Sequence, residues 1–252
     1  MNMGLFDIPA PLFSAANNLI SFLPDTFQLI LWAILGAGVS MYLYLKMSQQ
    51  DAIGQIKKDT VIARKALSSY EGTEFGEMMP LATRVLGLSG KHFAVVLGPA
   101  VLSSLPALAL IVWVSNQFGV AAPAAGTKIL VTTTPPTQLI WSDKVSEDDM
   151  GYTVAWPEKN EVLTARGADG NQLFQLGAGT ATLIHKKTWW NNLIANPAGY
   201  LPENSILELV DVQLPMQQFL PWGPDWLRDW VGLFFIMLLS ASIGIKVIFK
   251  IH

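Results

Sequence analysis

Cysteine is absent from this 252-residue chain, and its three histidines, His92, His185 and His252, lie far apart in the sequence. The absence of cysteine excludes disulfide bonds, thiolate metal ligands and a cysteine nucleophile. None of the histidines belongs to a His-Glu-x-x-His pattern, so no histidine-based metal site is indicated. We therefore expect no metal or other cofactor.

Charge is also scarce. Charged residues make up 14% of the chain, whereas a soluble domain usually has about 25%. The net charge of −3 creates no positive field that could hold a polyanion, so we expect no specific nucleic-acid partner. Hydrophobic residues make up 51% and the mean hydropathy is +0.38. This composition favours a chain that lies partly in a lipid bilayer.

Three stretches with little or no charge predict three transmembrane helices. The first covers residues 26–45, and its 20 residues match the hydrocarbon thickness of about 30 Å at about 1.5 Å per residue. The second covers residues 92–116 and contains two prolines, which a spanning helix tolerates. The third covers residues 230–249, where Lys246 can extend to the interface. A buried helix of a soluble core is the alternative for each stretch.

The distribution of basic residues predicts the topology. Residues 46–91 contain seven Lys and Arg, whereas residues 1–24 contain none. The positive-inside rule therefore puts the N-terminus outside, residues 46–91 inside, residues 117–229 outside and the tail 250–252 inside. We expect a multi-pass protein of a bacterial inner membrane, with its C-terminus in the cytoplasm.

The N-terminal segment, residues 1–25, contains a candidate interfacial helix. Over residues 11–23 the apolar side chains fall on one helical face, with Asn17 and Asn18 opposite. Such a helix lies on the outer membrane surface just before the first span. A disordered tail is the alternative.

Residues 46–91 are predicted to form a cytosolic helical hairpin. In its first helix, small and apolar residues recur every three or four positions from Ile53 to Tyr70, as in a short coiled coil, and Gly72 ends the helix. An ordinary amphipathic loop helix fits the pattern equally well. The basic side chains that lie mostly off this face are a candidate contact surface in the cytosol: Lys57, Lys58, Arg64 and Lys65.

Residues 117–229 are predicted to form an exported all-β domain, a sandwich or a partly open barrel, after a linker over residues 117–127. Asp169-Gly170 between alternating runs indicates a hairpin turn. The expected strands are Lys128–Thr133, Gln138–Trp141, Tyr152–Trp156, Glu161–Ala165, Gln172–Leu176, Thr180–Ile184 and Ile206–Leu214. The fold class is therefore a mixed membrane protein: three transmembrane α-helices, a cytosolic helical hairpin and an exported all-β domain.

Three tryptophans spaced four residues apart, Trp222, Trp226 and Trp230, precede the third span. Indole rings favour the headgroup level of a bilayer, so we interpret them as interface anchors. A cage for a ligand is the alternative.

The spans contain small and hydroxylated residues, for which two interpretations remain open. Close packing of helices through small residues is one. The other is a shallow polar groove in the cytosolic half, with Lys46 and Lys246 at its mouth. Such a groove would lower the cost of drawing a polar segment into the bilayer. Its candidate residues are Ser40, Ser103, Ser104, Ser240, Ser242 and Lys246.

The sequence shows no catalytic residue set. The stretch Gly87 to Lys91 ends like a phosphate-binding loop, but it lacks the required first glycine, and His92 occupies the Ser/Thr position. We expect the chain not to be an enzyme.

The order of these segments resembles the core of the YidC/Oxa superfamily of membrane-protein insertases. An outer amphipathic helix, an N-out first span, a basic cytosolic hairpin, a proline-containing second span and a C-in third span match that layout over residues 11–116 and 226–252. The resemblance implies an insertase or chaperone that assists insertion or assembly of membrane proteins. It also implies that the hairpin meets the ribosome or the nascent chain.

A second function class remains open. A chain with three spans, an exported β domain and no catalytic set could be an accessory or assembly subunit of a larger inner-membrane complex. Such a subunit would dock through its spans and its β domain. In either class the expected partners are the lipid bilayer and other membrane proteins.

Overall fold

The structure, a computed structural model, forms two compact units that are each built from separate stretches of the chain. The first unit comprises Met1–Leu29 and Ala109–Leu233, and the second comprises Ile30–Leu108 and Phe234–His252. The residues that the structure describes are 3–72, 74–143, 145–148, 151–177 and 179–251.

The described helices follow the predicted order. A 3-10 turn at Leu5–Asp7 precedes the first α-helix, and a second 3-10 turn lies at Trp189–Asn192. The α-helices are α1 (Ala10–Leu19), α2 (Asp25–Met47), α3 (Gln50–Ser68), α4 (Phe75–Phe118), α5 (Asp225–Arg228) and α6 (Trp230–Ile248).

Three of these helices, α2, α4 and α6, are long and apolar enough to cross a membrane, as predicted. They contain 23, 44 and 19 residues. The mean hydropathy of an apolar 18-residue stretch in each is 1.6, 2.2 and 2.3. Most of each stretch is exposed in the chain alone. Large apolar side chains such as Phe93, Leu239 and Ile243 are among those exposed. Exposed apolar surface on this scale is typical of contact with a membrane or with other proteins.

Helix α4 is longer than expected. The second arm of the predicted hairpin and the second predicted span are one continuous helix of 44 residues, about 66 Å long at about 1.5 Å per residue. The predicted boundary at residue 92 is therefore not a break in structure. Three prolines lie inside the helix. Each removes one backbone donor, and the helix continues past all of them.

Helix α3 buries the face that the sequence predicts. Ile53, Ile56 and Ala63 are buried, because they recur on one side of the helix at steps of three and seven residues. The helix ends at Ser68 rather than near Gly72. The amide of Ser69 still donates to the carbonyl of Lys65, at 2.9 Å, and thereby satisfies one carbonyl of the last turn.

The β region lies in the first unit and consists of two antiparallel sheets. One sheet has the strand order β3-β4-β1-β8-β7 and the other has the order β2-β5-β6. The strands are β1 (Lys128–Thr134), β2 (Ile140–Trp141), β3 (Ser146–Asp148), β4 (Gly151–Ala155), β5 (Leu163–Arg166), β6 (Gln172–Leu176), β7 (Leu183–His185) and β8 (Leu209–Val212).

A single apolar core includes residues from both sheets. Val131, Val154 and Val212 of the larger sheet and Ala165 and Leu176 of the smaller one are fully buried in it. Alternate residues of each strand point to the same side, so one face of each sheet supplies the core. The two antiparallel sheets with their shared core confirm the predicted β region.

The strand predictions differ from the structure in several places. The acidic strand β3 was not expected, and β8 is shorter than the predicted Ile206–Leu214. Strands β2, β5 and β7 begin two or three residues later than predicted. The predicted hairpin turn joins β5 to β6, where Gly170 has φ +78°, a conformation that favours glycine. In the same turn, hydrogen bonds from the backbone and side chain of Asn171 lower the pKa of Asp169.

Candidate functional site

A cavity of about 340 Å³ lies in the second unit, among α2, α4 and α6. On α2 its lining residues come from the C-terminal half, and on α6 they run from the middle of the helix to the last turn, which carries Lys246. Its walls are mainly apolar with several hydroxyl groups. The lining residues are Ala37, Ser40, Met41, Tyr44, Ala100, Ser103, Ser104, Ala107, Leu238, Ser242, Lys246 and Ile251.

The structure brings together five of the six candidate groove residues. Ser40 of α2, Ser103 and Ser104 of α4, and Ser242 and Lys246 of α6 all line the cavity. We call this cavity the groove. Lys246 is the one charged residue in its lining.

Two expected groove residues lie elsewhere. Ser240 is exposed and does not line the groove, although it is only two residues from Ser242. Successive residues of an α-helix are about 100° apart, so positions 240 and 242 point to nearly opposite sides. Lys46 is also exposed and outside the lining, so only Lys246 fulfils the expectation of a lysine at the groove.

The serines of the groove differ in their hydrogen bonding. The Oγ atoms of Ser103 and Ser104 donate to the carbonyls of Ala100 and Val101 of the same helix, at 3.1 and 2.7 Å. The Oγ of Ser40 is buried and has no hydrogen-bond partner within the described part of the chain. A buried hydroxyl without a partner costs about 1–3 kcal/mol. Ser40 therefore leaves an unused donor and acceptor buried in the wall of the groove.

Prediction from residue type missed the apolar part of the lining and one phenol, that of Tyr44. Helical spacing could have found them. On α2 the lining positions 37, 40, 41 and 44 are three or four residues apart, and on α6 positions 238, 242 and 246 are four apart. Such steps define one face of a helix.

Three glycines on the membrane-length helices lie beside open space. A side-chain carbon added at Gly38, Gly98 or Gly244 would meet no described heavy atom within 4 Å, outside the backbone of its own helix. Among the described residues, no other helix therefore packs closely against these glycines. The open positions leave surfaces that another helix could approach.

The candidate cytosolic contact on α3 is freely accessible. Lys57, Lys58, Arg64 and Lys65 are all exposed. No salt bridge within the described residues involves any of them. Their charges are thus available to an anionic partner.

The candidate anchors before α6 divide into two kinds. Trp222 and Trp226 are exposed, whereas Trp230 is half-buried and begins α6. The first turn of α6 packs closely against the backbone of α5, because a Cβ at Gly232 would lie 2.2 Å from the carbonyl oxygen of Trp226. The side chain of Asp229 accepts the amide hydrogen bond of Gly232 at 3.0 Å and caps α6.

A second, open hollow of about 650 Å³ lies in the β region. Its lining includes Asp143, Glu158 and Glu161. Across the described residues, no group of three or more His, Asp or Glu side chains is arranged to hold a metal ion. The hollow therefore has acidic character but no evident ligand.

No protein-family model, curated protein or solved structure matches the chain.

Proposed function

We propose that the chain is a membrane-protein insertase or chaperone of the YidC/Oxa type, which receives polar segments of other membrane proteins in the groove. The groove supports this proposal because four serines and one lysine line it between helices that are otherwise apolar. The observation that carries the proposal is the unpartnered Oγ of Ser40 in the groove. A polar segment of another membrane protein that forms a hydrogen bond there would have a lower free-energy cost of leaving water.

The proposal includes a topology. Helices α2, α4 and α6 span a bacterial inner membrane, the N-terminus and the β region lie outside, and α3 lies in the cytoplasm. The seven basic residues within 46–91 support this orientation. The groove then opens in the cytosolic half, where newly made proteins arrive.

Because the chain lacks cysteine, single cysteines can test the topology. In intact cells, a membrane-impermeant maleimide should label Asp169→Cys, at the turn between β5 and β6, and should label Lys58→Cys only after the membrane is opened. The reverse pattern would overturn the orientation, and labelling of both sites from outside would overturn the spans.

Photocross-linking tests the client site. A photoreactive amino acid replaces Ser242, which lines the groove, or Ser240, its exposed neighbour and matched control. Position 242 should yield cross-links to many newly made membrane proteins, and position 240 should yield far fewer. Equal client cross-links from both positions, or none from 242, would contradict the proposal.

An accessory or assembly subunit of a membrane complex is the second candidate. The open space beside Gly38, Gly98 and Gly244 favours it, since a partner helix could pack closely there. Purification from native membranes in mild detergent separates the two. A fixed set of subunits at constant stoichiometry would support the subunit, whereas heterogeneous membrane proteins together with ribosomes would support the insertase.

A further inference from the structure

Two adjacent tryptophans form an exposed aromatic pair in the first unit. Trp189 and Trp190 stack with their ring centroids 4.0 Å apart and remain 68% and 55% exposed. They lie in the 3-10 turn Trp189–Asn192, in which Asn191 Oδ1 accepts hydrogen bonds from the backbone and hydroxyl of Thr188. We call this turn the tryptophan turn.

The N-terminal segment is tied directly to the chain that follows the tryptophan turn. The amide of Phe6 donates to the carbonyl of Leu193 at 2.9 Å. The buried carboxylate of Asp7 accepts from the amide of Ala195 at 2.7 Å and from that of Gly4 at 3.1 Å. Gly4 is needed for this approach, because a Cβ there would lie 2.4 Å from the carbonyl oxygen of Leu193.

Helix α1, which follows, presents apolar side chains outward. Leu12 is 69% exposed and Leu19 is 78% exposed, whereas Asn17 on the other side is buried. No charged residue occurs from Ile8 to Pro24. A surface of this kind suits the boundary between lipid headgroups and acyl chains.

Contacts of α1 set its level along α4. The indole Nε1 of Trp113 donates to the Oγ of Ser14 at 3.0 Å, and the ring of Phe13 lies 5.7 Å from that indole. Trp113 is five residues before the end of α4 at Phe118, or about 8 Å along the helix axis. If α4 spans the bilayer, α1 therefore lies at the bilayer surface and not in the hydrocarbon core.

We propose that the tryptophan turn is a second membrane contact, which docks the β region on the lipid surface beside α1 and is held there by Asp7. The partner is the phospholipid interface itself. Indole rings favour that layer. Lys187, next to the turn, is exposed, and its charge would attract anionic headgroups. The proposal rests on the proposed insertion of α4.

Single-cysteine variants of the full chain test this membrane contact. Each variant is labelled with an environment-sensitive fluorophore and reconstituted in vesicles of phosphatidylethanolamine and phosphatidylglycerol. Asn192→Cys reports on the tryptophan turn and keeps both indoles. Leu12→Cys reports on α1, Leu105→Cys on the middle of the predicted span 92–116 within α4, and Glu203→Cys on an exposed position of the β region. Quenching by nitroxide lipids is compared with quenching by an aqueous quencher.

We expect lipid quenching at positions 12 and 192 to exceed that at 203 several-fold and to be strongest for nitroxides near the headgroup. Position 105 should respond to nitroxides deep in the acyl chains. Asp7→Ala should lower lipid quenching at 192 and leave position 105 unchanged, whereas Asp7→Asn, which keeps an acceptor oxygen, should retain more of it.

Three results would overturn the inference. Lipid quenching at 105 but not at 192 would refute the membrane contact while leaving α4 inserted. Shielding of 192 from both quenchers would mean that protein, such as a second copy, covers the turn. Absence of lipid quenching at 105 would refute both the inference and the proposed insertion.

Discussion

The backbone amide of Ile251 donates a hydrogen bond of 3.0 Å to the carbonyl of Lys246 and turns the chain back after α6. The amide of Lys250 also bonds to the carbonyl of Val247, at 3.3 Å. The two bonds form a Schellman cap. The cap places Ile251 in the lining of the groove, directly after the helix that supplies Ser242.

The cap contains a strained residue, and this leads to the first prediction. Lys250 has φ +51°, a conformation that costs an L-residue with a side chain about 1–2 kcal/mol. Lys250→Gly should therefore stabilise the chain by roughly 0.5–1 kcal/mol, after the greater freedom of glycine in the unfolded chain is deducted. Thermal unfolding of the full chain in detergent measures this. A lower midpoint for Lys250→Gly than for the native protein would contradict the cap.

The second prediction concerns the unpartnered hydroxyl of the groove. Ser40→Ala removes a buried polar atom without a partner, so it should stabilise the chain by about 1–2 kcal/mol. The same change should weaken client cross-linking from position 242, because the groove loses a polar contact.

Ser104→Ala is the matched control within the groove. Its Oγ already donates to Val101, so alanine there should not stabilise the chain. Equal stabilisation by both changes would show that the missing partner of Ser40 has no energetic consequence.

The third prediction tests the basic surface of α3. Replacing Lys57, Lys58, Arg64 and Lys65 with glutamine should impair membrane-protein insertion in cells and leave the amount of protein in the membrane unchanged. The reason is that these exposed side chains make no salt bridge within the described residues, so their loss does not disturb the fold. Arg84→Gln with Lys91→Gln on α4 serves as the control. Full insertion activity of the quadruple variant would show that these four charges on α3 take no part in membrane-protein insertion.

The fourth prediction is a pH dependence in the β region. The hydroxyl of Tyr152 accepts from the amide of Leu139 and donates to the carbonyl of Thr137, both at 2.9 Å. Burial is the main reason why the pKa of Tyr152 lies above its ordinary value of 10.0. A raised pKa means that the folded state holds the proton more tightly. The stabilisation is therefore complete below about pH 10 and is lost as the pH rises further.

Tyr152→Phe tests this relation. It should lower stability near pH 8 by about 1–3 kcal/mol, because the Leu139 amide loses its acceptor. The difference from the native protein should shrink above pH 10. Thermal unfolding of the full chain, monitored by near-UV circular dichroism of its aromatic side chains, measures the stability difference at each pH. A stability difference between Tyr152→Phe and the native protein that does not change with pH would contradict the raised pKa of Tyr152.

Local patterns predict much of the fold because they reflect local physics. Hydropathy over 20-residue stretches finds α2 and α6 to within two residues, since an apolar helix of bilayer length needs little tertiary context. Alternation finds β6 at Gln172–Leu176 with the same bounds. Strand β3 could not be found, because Ser146, Glu147 and Asp148 do not favour strands. Pairing with β4, as between Glu147 and Tyr152, determines it.

The groove was only partly predictable for a related reason. Serine in an apolar helix marks a polar position, but the rotation of each helix about its axis decides which serines share a cavity. Ser240 and Ser242 could not both face the groove on one straight helix, and this could have been deduced from spacing. The missing partner of Ser40 depends on the packing of three helices, and no local pattern encodes it.

Insertion by the purified protein is the most direct test of the central claim, that the groove receives polar segments of membrane proteins. The full chain is reconstituted into vesicles, and protease protection measures insertion of a membrane protein with a short polar exported segment. The native protein and Ser240→Leu, changed outside the groove, should both promote insertion, whereas Ser242→Leu, which fills the groove, should not. Insertion no better than in protein-free vesicles, or equal activity of all three proteins, would contradict the account.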